Sequence, residues 1–212
     1  MRRVAINTPP ATEPVTTAEL KLFLRIASTD TTEDTLLAEF IKAARIMAEK
    51  ITKRTIPTTV KTLWLDRFPG DPLGWWDGER EGPIYGNGCK SEIEIPEPPF
   101  ASITHIKTYD DQDVASTFAS SNYYASSPDE NQCGRIVLRS GGVWPVALRV
   151  ADSIEIKYTA GYSSVPESLK VAIKMMAGYL YQNRGDCDAE SCAESCGAMK
   201  ILTPYIIARV RL

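Results

Sequence analysis

The chain has 212 residues, 43% hydrophobic and 24% charged, which is enough apolar mass for one well-packed domain or two small ones. A formal net charge of -3 and a pI near 5.4 disfavour a protein that coats nucleic acid, because neutralising phosphates needs an excess of Lys and Arg. No apolar run is long enough to span a bilayer and none follows the N-terminal arginines to make a signal peptide, while five cysteines without scaffold spacing point to reduced thiols inside a cell.

Residues 8–15 hold three prolines and read as an extended arm, since each ring removes a donor and pushes its predecessor out of the helical region. Thr16 and Glu19 then stand at capping-box spacing, and Leu20, Phe23, Leu24 and Ala27 predict a short amphipathic helix over residues 17–27. Asp30 with Glu33 marks the next start. Leu37, Phe40, Ile41, Ala44, Met47, Ala48 and Ile51 follow on one stripe, predicting a helix over residues 31–53.

From residue 56 the helical period gives way to short alternating runs at 60–67, 91–95, 102–109, 135–139 and 153–159. Their connections are too short for helical crossovers, so the sheet is expected to be antiparallel. Residues 69–88, rich in Gly and Pro and carrying Trp75 and Trp76, predict a long loop; residues 119–131, rich in Ser and Asn, predict an irregular surface run. Ile154, Ile156 and Tyr158 alternate up to the break at Gly161, after which Ser164, Pro166 and Glu167 mark a helix start. Leu169, Ile173, Met176 and Leu180, with Ala172 and Ala177, line one face of a helix predicted over residues 165–184.

The two long apolar stripes match in length and breadth and are expected to pack together with the short helix alongside. The fold class is therefore α+β: a small helical bundle from residues 1–55 and 161–212, holding an antiparallel β insertion at 56–160 between its second and third helices. A C-terminal segment, residues 198–212, completes the bundle side. It reads in two ways, as a last helix on the bundle or as a docking peptide. On the second reading Ile201, Leu202, Tyr205, Ile206 and Val210 are apolar anchors, with Lys200, Arg209 and Arg211 as positive charge.

Motifs that carry chemistry are few. Cys187, Cys192 and Cys196 are spaced unlike the paired ligands of zinc ribbons and fingers and have no histidine nearby, so they read as thiols on a flexible connector. His105 lies within an alternating strand and reads as a structural histidine; with one His, no paired zinc-protease ligands are possible, and no phosphate-binding loop with its lysine occurs. The expectation is no catalytic, cofactor or metal site. Trp75 and Trp76 fit a subunit interface or a fold-back onto the sheet better than stacking on a sugar or base, although a carbohydrate- or ligand-binding module using the sheet and this loop is the alternative function. The acidic run at 109–113 reads as a solvated turn.

Two stretches, PPATEPVTTAELKLFLRI near the N-terminus and IEIKYTAGYSSVPESLKVAIKMMAGYLYQNR later, together with GRIVLRSGGVWP between them, resemble the signature regions of the head-tail connector (adaptor, head-completion) proteins of tailed bacteriophages. The likeness covers most of the chain in the right order, and departs at the Trp-bearing loop and the cysteine-bearing connector. It implies a non-enzymatic structural protein of the virion, made in the host cytoplasm and assembled as a homo-oligomeric, dodecameric ring beneath the portal. Such a ring extends the DNA channel without sequence-specific binding and meets a neck, stopper or tail protein on its other side. In relatives the C-terminal segment reaches the portal, which here corresponds to residues 198–212.

Overall fold

A computed structural model describes residues 2–68, 92–127, 129–130, 132–183 and 188–207. The loop expected at 69–88 with Trp75 and Trp76, and also Cys187, Arg209, Val210 and Arg211, lie outside the described residues. The chain divides into two compact units, one of Met1–Pro9 with Thr59–Gly161 and one of Pro10–Thr58 with Tyr162–Leu212. Among the described residues no helix is long and apolar enough to cross a membrane.

The second unit is helical. Helix α1 (Thr17–Leu24) starts in the capping box read from the sequence: the Thr16 hydroxyl accepts from the Glu19 amide at 3.2 Å and the Thr16 amide donates to the Glu19 carboxylate at 2.8 Å. It ends earlier than expected, because Arg25 turns left-handed at φ 60 and Ile26 donates back to the Lys21 carbonyl. Helix α2 (Asp34–Thr52) begins three residues later than expected. Asp30 does not cap it; its carboxylate instead closes a local turn on the amide and hydroxyl of Thr32. Helix α3 (Glu167–Asn183) opens with the Pro166 carbonyl accepting from Lys170, so Pro166 stands just before the helix rather than inside its first turn. Residues 188–196 are not a flexible connector: Asp188 caps a short helix, α4 (Ala189–Ser195), and α5 (Ala198–Leu202) follows.

The two long stripes face each other as expected. Leu37, Ile41, Ala44, Ala48 and Ile51 of α2 share one core with Leu169, Ala172, Ile173, Met176, Ala177 and Leu180 of α3, joined by Leu20 of α1, Cys192 and Ala193 of α4, and Ala198 and Leu202 of α5. Two buried cations tie down the margins. Arg45 on α2 donates to Glu13 and Glu49, each at 2.7 Å, holding the proline arm onto the helix. Lys21 pairs with Asp34 and donates to the Asp30 carbonyl, fixing the α1–α2 turn.

The first unit is two antiparallel sheets around one core. Strands β1 (Arg2–Thr8), β2 (Thr59–Leu65), β4 (Phe100–Tyr109), β5 (Ala115–Thr117) and β8 (Ile154–Ala160) order as β1-β2-β8-β4-β5. Strands β3 (Glu92–Ile95), β6 (Tyr123–Ser126) and β7 (Gly134–Leu138) order as β3-β7-β6. Residues 2–8, grouped with the bundle in the sequence reading, are thus an edge strand. It is mostly exposed, so it carries no alternation to betray it. The irregular run expected at 119–131 contains a 3-10 turn at Ser120–Asn122 and the whole of β6.

Leu63, Leu65, Ile106, Ile154, Ile156, Tyr158 and Ala160 of the larger sheet share a core with Ile93, Ile95 and Ile136 of the smaller one. Phe68, Phe118 and Trp144 complete it, with the Phe68 and Trp144 rings stacked at 4.4 Å. Two positions in this core have sharp consequences. A Cβ on Gly134 would lie 2.6 Å from both Cβ and Cγ of Phe100, and the Tyr158 hydroxyl is buried without a hydrogen-bond partner among the described residues.

Gly134→Ala is therefore expected to destabilise by about 1–3 kcal/mol through overpacking. Combining it with Phe100→Ala should cost less than the sum of the two, as read by urea denaturation; additive costs would show that the two side chains do not meet. Tyr158→Phe removes a desolvated hydroxyl that gains no bond, and is expected to leave stability equal or raised by about 1 kcal/mol in the same assay, where a clear loss would reveal a hidden partner.

Candidate functional site

The sequence placed its candidate site in the C-terminal segment, and the structure divides that segment into a buried part and an emergent part. Leu202 is fully buried in the bundle core and Ile201 packs partly against it, so these two serve the chain's own fold. Beyond α5 a 3-10 turn, Thr203–Tyr205, is pinned from three sides. The Tyr205 carbonyl accepts from Arg54 Nε at 2.5 Å, its ring lies 5.9 Å from the Arg54 guanidinium, and its hydroxyl meets Ser168 Oγ at 2.6 Å. Arg54 is itself buried and also donates to the Tyr162 hydroxyl at 3.2 Å. Finally the Ile207 amide donates to the Thr52 carbonyl at the end of α2, at 3.2 Å.

Lys200 and Ile206 remain exposed. The segment is therefore anchored on the helices as far as Ile207, with Leu202 and Tyr205 as internal holdfasts and Lys200 and Ile206 facing solvent. The sequence could not separate these roles, because all eight candidate residues carry the same basic and apolar signature whichever way they face.

A second polar constellation, which sequence reasoning left apart, lies on the larger sheet. Pairing of β4 with β8 brings Lys107 opposite Glu155 and His105 opposite Lys157. Glu155 accepts from the Tyr109 hydroxyl at 2.6 Å, and His105 Nε2 lies 3.2 Å from its other oxygen. Tyr109 stacks against Trp64 of β2 at 6.0 Å, and Arg149 lies over its ring at 4.3 Å. Burial raises the Glu155 carboxyl, but the hydrogen bonds from Tyr109 and His105 and the charge of Lys107 outweigh it and hold the group below its ordinary 4.5. The same bond, with burial, pushes the Tyr109 phenol up. His105, read from the sequence as a structural histidine, has Glu155 as its partner. The half-buried alternation of β8, which turns Glu155 away from Ile154 and Ile156, was the signal available.

Cys192 is buried with its thiol 3.9 Å from the Met176 carbonyl, and the Cys196 thiol lies 3.7 Å from the Ala193 carbonyl. Among the described residues no group of three or more His, Cys, Asp or Glu side chains is placed to hold a metal ion.

Because the Glu155 carboxyl is depressed in the folded state, its contribution is complete above 4.5 and is lost as pH falls through the folded value. Glu155→Gln should therefore flatten the acid limb of the stability profile measured by denaturation across that range, and an unchanged acid limb would show that the carboxylate is not held by its partners.

No protein-family model matches the chain, and no curated protein matches it. Among solved structures, a chain from the neck of an empty gene transfer agent (GTA) particle, computed with C6 symmetry, matches with a TM-score of 0.75 at 22% identity, over 98% of this chain and 97% of that one. A chain from the virion of the native gene transfer agent particle matches at 0.72 and 22%, over 98% and 96%. Another, from the neck of the native particle computed with C12 symmetry, matches at 0.65 and 22%, over 97% of each. At that identity the likeness is one of fold, and it extends over nearly the full length of both chains: the α+β arrangement described here is one that gene transfer agent particles build into their necks.

Proposed function

We propose that this chain is a structural neck component of a tailed-phage-like particle: a head-tail connector that assembles as a ring under the portal and continues the DNA channel towards the tail. The observation that carries this reading is the agreement of fold, along 98% of the chain, with a chain from a particle neck. The resemblance of three sequence stretches to phage connectors supports it independently. The role is mechanical rather than enzymatic, and its localisation is the virion, after assembly in the host cytoplasm.

The channel role agrees with the charge. A net charge of -3 leaves the ring without the cationic surplus that would hold passing DNA by its phosphates. Portal docking falls to Lys200 and Ile206, both exposed, and, from their sequence, to Arg209, Val210 and Arg211. Leu202 and Tyr205 support it from below by holding the segment on α3 and on Arg54. A ring component of this kind meets a neck, stopper or tail protein on the side away from the portal.

Complementation tests the reading. Cells that make the particle without this chain are expected to accumulate heads lacking tails, and the full chain supplied separately should restore tailed particles. A chain ending at Ile207 should fold with an unchanged melting profile and fail to restore them. Tailed particles formed in the absence of the chain would overturn the neck role, and full rescue by the shortened chain would overturn the docking role.

A further inference from the structure

Three valines in the segment between β7 and β8 stand in water: Val143, Val146 and Val150 are 75%, 84% and 82% exposed. The backbone that carries them is tightly held. Trp144 is buried in the aromatic stack with Phe68, Leu148 forms a β-bridge with Asp110, and the Arg149 amide donates to the Tyr109 carbonyl at 3.1 Å. The Arg149 guanidinium adds a bond to Asp113 at 2.9 Å and its stacking on Tyr109. Ala147 adopts a left-handed φ of 61, a conformation that costs a non-glycine residue energy and persists only when its surroundings enforce it. Val114, 57% exposed, lies in the neighbouring turn with Asp110, Asp111 and Asp113. These exposed valines thus stand on a backbone held in place, beside Asp110, Asp111 and Asp113, the last of them paired with Arg149.

The helical side of the same chain carries its counterpart. Leu22 and Phe23 on α1 are 81% and 48% exposed, and Phe23 borders a surface groove of about 330 Å³ lined also by Met175, Gly178 and Tyr179 of α3. Gly178 keeps that groove narrow, since a Cβ there would already lie 3.2 Å from Phe23 Cε1. Arg25 is exposed at the end of α1, and Lys174 stands one turn before Gly178 on α3. The margin of this groove therefore carries Arg25 and Lys174 together with Glu19 of α1, whose carboxylate feels the charge of Lys174.

We propose that these two surfaces are the two sides of one contact between copies of this chain, the valine patch of one copy seating on the α1–α3 groove of the next. The valine side keeps three carboxylates against one cation, Arg149, and the groove side keeps Arg25 and Lys174 against Glu19, so the two differ in net sign, as suits a heterologous, head-to-tail contact. Closed rings of more than two subunits are built from such contacts, and two of the matching chains come from necks computed with C6 and C12 symmetry. The proposal rests on the ring reading above and adds to it a partner, two surfaces and a polarity. It also states that the contact belongs to this chain alone, needing no portal to form.

Sedimentation velocity on two variants tests it. Val146→Asp with Val150→Asp spoils the patch and leaves the groove; Leu22→Asp with Phe23→Asp spoils the groove and leaves the patch. Wild-type protein is expected to associate beyond dimers as concentration rises, and each variant alone to associate at least about tenfold more weakly. An equimolar mixture of the two variants should form dimers and nothing larger, because only one intact pair of surfaces remains. Ser replaces Asp at the same positions if either variant melts at a lower temperature than wild type. Variants that associate like wild type, a mixture that yields no dimer, or wild-type protein that stays monomeric at every concentration would each overturn the proposal. None of these would touch the neck role, which the complementation experiment judges separately.

Discussion

The closure of α2 on α3 is the contact on which the rest depends. Leu37, Ile41, Ala44 and Ala48 meet Leu169, Ile173 and Met176 across more than a hundred residues of intervening chain, and every other helix adds its apolar residues to this seam. Joining such distant segments carries a loop-closure cost that grows only slowly with length, so the intervening residues are tolerated provided that their ends return to one place. The sheet supplies that return. Strands β2 and β8 are antiparallel neighbours with Thr59 opposite Ala160, and in the helical unit Pro57 and Tyr162 form a separate parallel bridge. Within the helical unit, Pro57 and Tyr162 thus stand side by side at the two points where the chain flanks the β excursion.

Buried charge is used sparingly, and in the helical part it falls at the margins of the fold. Arg45, Lys21 and Arg54 are each withdrawn from water, and each meets carboxylates or carbonyls that compensate for the lost hydration. What they hold is peripheral: the proline arm, the α1–α2 turn and the C-terminal turn. Removing one partner would leave a desolvated cation, so these contacts give the ends of the bundle a definite position that apolar packing alone does not specify.

The C-terminal segment divides its side chains between the core and the solvent. Leu202 inside the core and Tyr205 under Arg54 and Ser168 secure it, while Lys200 and Ile206 stay in solvent. The two readings offered by its sequence, last helix and docking peptide, are thus compatible: the first describes the segment as far as Ile207, and the second concerns the exposed side chains and the residues beyond. The cysteine-bearing stretch before it has a similar dual character, polar in composition yet folded as α4 with Cys192 and Ala193 in the core.

Much of the architecture was legible from residue order alone, wherever burial is one-sided and long enough to leave a period. The stripes of α2 and α3, the capping box at Thr16, and the strands around Leu63, Ile93, Ile106, Ile136 and Ile156 all announce themselves by which neighbours repeat, because a half-buried helix or strand must alternate at its own spacing. Tertiary structure decided the rest. Edge strand β1 and the short β5 bury almost nothing and so leave no pattern, and the late start of α2 follows from a local competition in which Asp30 bonds Thr32 instead of the helix. The meeting of His105, Tyr109 and Glu155 depends on a register shift within β4, and the division of the C-terminal residues into anchors and exposed groups depends on where Arg54 and Ser168 stand. Periodicity is a property of neighbours along the chain, whereas register, edges and which of two similar side chains is buried are properties of what lies across from them.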